Sequence, residues 1–352
     1  MNRSSPKPTA SSPDWLIRQF ETSKLSPGWI GLGLAIAYPI FVWFVHMIAD
    51  AALGPLALPF SPGRFAGSVM VNGALFGLIL TGHARLYLGA VSDLQELRPV
   101  LPGDDADLTR LMRELPNLSL RVRWIVTAAG MLGGLAVATL DPTLRDLYSH
   151  MARSDPRYVV YLAQNMVFGA LGTRLFATEV HMTRAYARLG ERVEVDLLDL
   201  SKVFIFAQKG LRSVLIWVLI SSAFSMFWVL DSAGEANIFL PLAVLVLVIV
   251  ALVGPTLGIH RSIRAAKAKE LALLSEAIRV ERTVALAPRR GGAHPEDARL
   301  GNLIQYQSFI KSLREWPFDL SIASRSFLLI VLGAGSWLGG ALVERLLNLL
   351  LD

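Results

Sequence analysis

Polar side chains set inside long apolar runs are the first candidates for chemistry in this sequence. His46, Asn72, His83 and Asn165 each interrupt such a run. An amide or imidazole in that setting either lines a pathway or makes a hydrogen bond between helices. His46 and His83 fall within about a turn of the ends of their runs, which favours the structural role. The last run, GAGSWLGGALVERLL, sets Gly335 and Gly339, and Ser336 and Gly340, four residues apart. Small residues at that spacing let helices approach closely, either inside one bundle or between copies of the chain. If several copies met around an axis, Ser336, Gly339 and Gly340 would line a pore, with Glu344 at its outer mouth. An acidic ring there favours cations, although Arg345 stands beside it.

Other chemistries lack their residues. Cysteine is absent, which removes disulfides, thiolate metal sites and cysteine nucleophiles. The sequence contains no HExxH, no Walker A loop and no GxSxG elbow, so neither an enzyme nor a metal or cofactor site is expected. A pI near 9.7 raises nucleic acid as a partner, but no nucleic-acid-binding signature accompanies it.

The elements that must carry these residues follow from composition. The 352 residues are 53% hydrophobic and only 18% charged, with a mean hydropathy of +0.48. The apolar residues fall in blocks of about 20, the length of a membrane-crossing helix. The expected fold is an all-α integral membrane protein, with seven spans at 29–48, 66–84, 124–140, 157–178, 213–230, 236–258 and 326–343. The fourth is the weakest, because it carries Gln164, Asn165 and Arg174. The N-terminal segment and the second, fourth and sixth connections hold 28 of the 34 Lys and Arg residues, 29 with Arg174 at the end of the fourth span. That asymmetry places the N-terminus in the cytoplasm and the C-terminus outside, in the cell membrane (the inner membrane if the source is bacterial). Arg85 and Arg174 then sit at cytoplasmic ends of spans, where their stems reach the interface.

The domain reading has four parts. Residues 1–28 are Ser/Pro-rich, cytoplasmic and expected to be disordered. Residues 29–258 hold six spans with two cytoplasmic helical excursions, 85–123 and 175–212. Residues 259–316 form a cytoplasmic helical hairpin, with Ile259, Ile263, Leu271, Leu274 and Ile278 along one stripe of its first arm. Residues 317–352 are the seventh span and a short outer tail. Each excursion continues the span before it as a polar helix. A weak internal repeat relates Asn72–Gly77 to Asn165–Gly169. Between hairpin and last span, REWPF breaks the helix: Pro317 removes a backbone donor, Trp316 suits the headgroup level, and Asp319 can cap the final helix.

This layout of seven spans, an inside N-terminus, long inner helices after spans two, four and six, and a broken last span resembles the insect odorant- and gustatory-receptor-like ion channels. The resemblance implies a homotetramer held by a cytoplasmic anchor, here 296–316, and a central pore lined by 318–345. It also implies a small-molecule ligand bound among the outer halves of the spans. In span seven SWLGGALVE stands in place of the Thr-Tyr … Gln-Phe signature. Two other readings remain open beside the ligand-gated cation channel. One is a non-conducting scaffold or sensor whose basic helices bind a partner or anionic lipid, and the other is a secondary transporter.

Overall fold

The structure, a computed structural model, describes residues 23, 25–55, 62–103, 105–115, 117–140, 145, 149, 155–230, 239–285, 295–317, 324 and 328. Among these every regular element is helical: α1 (Pro27–Leu53), α2 (Pro62–Leu97), α3 (Asp105–Glu114), α4 (Leu120–Leu140), α5 (Pro156–Gly190), α6 (Phe204–Leu230), α7 (Phe239–Val253), α8 (Leu257–Ala285) and α9 (Pro295–Ser312). Four of them begin on proline, which suits the first turn because its missing N–H has no partner there anyway. Asp155 caps α5 by accepting from the Arg157 amide at 2.8 Å. Gly54 ends α1 at φ 88°, a left-handed turn that glycine adopts without strain.

Five stretches are long and apolar enough to cross a membrane: α1, Phe65–Val100, α4, Ser201–Phe227 and Leu245–Thr283. The described residues are all-helical, and these long apolar helices fit a multipass membrane protein. The expected fourth span, 157–178, lies within the unbroken α5, but its polar residues leave α5 outside that set of five. The expected seventh span lies outside the described residues except for Leu328, and so do Asp319, Ser336, Gly339, Gly340 and Glu344.

The neighbouring pairs α1–α2, α4–α5 and α6–α7 run antiparallel, and glycines set how closely they approach. A Cβ on Gly31 of α1 would lie 2.7 Å from the Gly77 carbonyl of α2 and would overlap Thr81 Oγ1. A Cβ on Gly130 of α4 would lie 2.7 Å from the Gly169 carbonyl carbon of α5 and would overlap Thr173 Oγ1. Both pairs therefore cross backbone to backbone, glycine on glycine, with a threonine one turn further along. The third pair keeps part of this geometry: a Cβ on Gly210 of α6 would lie 2.7 Å from the Leu252 carbonyl oxygen of α7, with the buried Thr256 one turn on. The residues before Gly77 and Gly169 are Phe76 and Phe168, and their rings stack at 3.9 Å. The two landmark segments related by the sequence repeat thus meet face to face.

The main core lies at one end of these helices. Leu94, Leu97, Met182, Tyr186, Phe206, Ile259 and Ile263 form its centre, where the polar extensions of α2 and α5 meet the starts of α6 and α8. The apolar runs instead expose large side chains, among them Trp29, Ile40, Trp43 and Phe44 on α1 and Trp124, Ile125 and Leu132 on α4. Lipid solvates such a surface, so it needs no protein partner. A polar extension has no such solvent for its apolar stripe and must bury it internally. Ile259, Ile263 and Leu274 of the expected stripe are buried accordingly. On α9, Ile310 is buried while Ile304 is exposed.

Candidate functional site

Among the described residues the buried acids, lysines and arginines fall in two clusters, and α5 contributes to both. One turn of α5 puts Glu179 and Thr183 on a single face, and Tyr186 lies one turn further. One turn of α6 does the same for Lys209 and Ser213. Where these faces meet, Lys209 Nζ donates to Glu179 Oε1 at 2.5 Å and to Thr183 Oγ1 at 3.2 Å. Ser213 donates to the other carboxylate oxygen at 3.0 Å, and Thr183 to Oε1 at 3.1 Å. Glu179 and Lys209 are each only 2% exposed. The Lys209 ammonium also lies 5.9 Å from the centre of the Tyr186 ring.

Tyr186 links this pair to a second one. Its hydroxyl donates to Asp93 Oδ2 of α2 at 2.6 Å, and Arg212 of α6 pairs with the same oxygen. Burial pushes the Tyr186 hydroxyl well above its ordinary range, and the Asp93 carboxylate pushes it the same way. It therefore stays protonated and acts as a fixed donor. Ser213, Glu179, Lys209, Tyr186, Asp93 and Arg212 form one connected set across three helices. Each acid has a basic partner and a neutral donor, the arrangement that makes buried charge tolerable.

The second cluster sits at the opposite end of α5. Arg157 donates from Nε to both Asp155 oxygens at 3.0 Å, from Nη2 to Asp155 at 2.7 Å, and from Nη1 to Asp50 of α1 at 2.5 Å. One turn along, His46 Nε2 meets the Tyr161 hydroxyl at 2.6 Å. A further turn brings Tyr38 of α1 onto Gln164. Phe65 completes the site, with its ring centre 4.8 Å from that of His46.

Two of the polar span residues singled out by sequence fall here. His46 bonds Tyr161, and Asn165 Nδ2 returns to the Tyr161 carbonyl at 3.0 Å. The other two stay apart from them. His83 is buried in α2 with Nδ1 at 3.1 Å from the Ile79 carbonyl, and Asn72 is half-buried on the same helix. Trp316 stacks on His260 of α8, ring centres 4.1 Å apart and planes 14° off parallel. His260 Nδ1 lies 2.9 Å from the Glu315 carbonyl, and Lys267 Nζ reaches the Lys311 and Leu313 carbonyls at 2.9 and 2.8 Å. The end of α9 is thereby tied to the start of α8, with Pro317 buried against it.

Sequence reasoning counts Glu179, Lys209, Asp93, Arg212 and Tyr186 only as members of charged connections. One signal is present: Lys209 lies in FIFAQKGL and Glu179 in LFATEV, single charges flanked by apolar residues. Their pairing across 30 residues cannot be read from either segment. No group of three metal-binding side chains occurs among the described residues. No known protein family, curated protein or solved structure matches the chain.

Proposed function

We propose that the chain is a homo-oligomeric, channel-like membrane protein whose charged hairpin α8–α9 forms the contact between subunits and whose last apolar run lines the central axis. One observation carries this reading. Leu273 and Val280 on α8 and Ile304 and Phe309 on α9 are 45–60% exposed on a hairpin whose other exposed side chains are mostly charged, polar or small. Lipid accounts for exposed apolar side chains on α1 and α4, but a charged hairpin lies in water, where such a surface calls for a protein partner. The tie between Trp316 and His260 adds support, since it fixes where the final segment departs from the hairpin.

Cation flux into liposomes holding the purified protein tests the proposal, with the oligomer mass measured in parallel. Flux abolished by Ser336→Trp, together with a mass of several chains, is the expected result. A monomeric mass without flux sinks it. The scaffold reading draws on the same hairpin, whose Arg264, Lys269 and Arg279 are exposed. That reading predicts that deletion of 259–316 removes a bound partner while leaving the remaining helices inserted.

A further inference from the structure

An open cleft of about 450 Å³ lies between the first turn of α1, the middle of α2 and the start of α6. Arg85 and Arg212 line it together with Gly89, and Leu88, Leu215 and Ile216 supply apolar wall. We infer that this cleft is a binding site for the phosphate of an anionic phospholipid, with the two guanidinium groups as its ligands.

The charge arrangement is the first argument. Arg85 has no ion pair or hydrogen bond among the described residues. Arg212 spends Nη2 on Asp93 and keeps its other N–H groups for the cleft. No carboxylate lines the cleft, so two cations face a common space without an anion between them. The paired donors of guanidinium groups suit phosphate oxygens particularly well.

Gly89 is the second argument. A Cβ there would lie 2.7 Å from Arg212 Cζ and 2.9 Å from its Nε. The missing side chain gives the guanidinium a flat bed beside the cleft, and the Asp93 pair holds it in place from behind. At the rim, Ser26 places its hydroxyl on no helix N–H, so it is free to donate to a bound oxygen.

Position separates a lipid from a dissolved anion. Arg85 follows the apolar run of α2, Arg212 precedes that of α6, and the cleft opens beside the start of α1. Three apolar runs therefore end at one level, where basic pockets between helices take up phospholipid headgroups. Trp29, 65% exposed on α1 next to the cleft, and the Leu88, Leu215 and Ile216 wall give acyl chains an apolar surface. A free phosphate would make no use of that wall.

The test is native mass spectrometry of the full chain in detergent, titrated with phosphatidylglycerol, phosphatidylcholine or inorganic phosphate. One phosphatidylglycerol per chain should be retained in preference to phosphatidylcholine. Arg85→Ala should weaken that binding about tenfold, the size expected for one charge-assisted contact. Gly89→Ala, which displaces only the end of a flexible side chain, should weaken it as well. Arg264→Ala, on the exposed face of α8, should leave it unchanged. Equal binding by wild type and Arg85→Ala overturns the inference. An equal loss in Arg264→Ala does so too, by reducing the effect to general attraction. If inorganic phosphate at millimolar concentration occupies the cleft and excludes the lipid, the assignment to lipid is overturned and the site belongs to a free phosphate.

Discussion

At the scale of single residues, the Glu179–Lys209 pair shows how buried charge behaves. Removing one partner leaves the other without compensation in a dry interior, at a cost of about 3–5 kcal/mol. Lys209→Met should therefore lower stability by that amount in a thermal or denaturant unfolding assay. Adding Glu179→Leu should restore most of the loss, and a double variant no better than the single one would show that the pair is not the unit. Tyr186 carries a pH prediction. Its folded-state pKa is raised, so its contribution is complete below the ordinary tyrosine value of about 10 and is lost as pH climbs towards the folded value. Wild type should lose stability through that alkaline range more steeply than Tyr186→Phe, and identical slopes would contradict the Asp93–Tyr186 contact as the cause.

At the scale of elements, the glycine crossings decide how the helices pair. In the stretch GMLGGLA of α4 the structure divides the glycines by role. Gly130 and Gly134 meet the backbone of α5, whereas a Cβ on Gly133 would meet nothing within 4 Å. Gly130→Val should cost about 1–3 kcal/mol or force α4 from α5, because backbone atoms cannot move aside as a side-chain tip can. Gly133→Val should be neutral in the same unfolding assay. The joint at 313–317 is also an element-scale feature. Loss of the stack in Trp316→Ala should speed amide hydrogen exchange at residues 313–316 without changing exchange in α2 or α5.

The whole molecule divides its apolar surface by solvent. Spans facing lipid leave large side chains exposed, while extensions facing water gather theirs into the core around Tyr186, Phe206 and Ile259. From the charge asymmetry the extensions are expected in the cytoplasm, and the absence of cysteine makes this directly testable. In intact cells, Ala52→Cys, at the far end of α1, should react with an impermeant maleimide. Ser119→Cys, just before α4, should react only after permeabilisation. The opposite pattern would invert the topology.

Much of this architecture was legible because periodicity, run length and charge are local properties. An apolar run of about 20 residues must be helical to satisfy its backbone in lipid, whatever surrounds it. The candidate site was less legible. His46 and Asn165 stood out because polar groups are conspicuous in apolar runs, yet their common partner Tyr161 carried no such mark. Glu179, Lys209, Asp93 and Arg212 were hidden because an isolated charge in a basic connection looks the same whether water or an opposite charge solvates it.

The sequence by itself determined that this chain is helical, membrane-spanning, free of cysteine and basic in alternate connections, since each property depends only on nearby residues. Tertiary structure decided which charges are paired, which glycines admit a neighbouring backbone, and that Arg85 and Arg212 face one cleft. Those outcomes depend on contacts between residues 30 to more than 100 positions apart, and pairwise distance across a folded chain is not a local property.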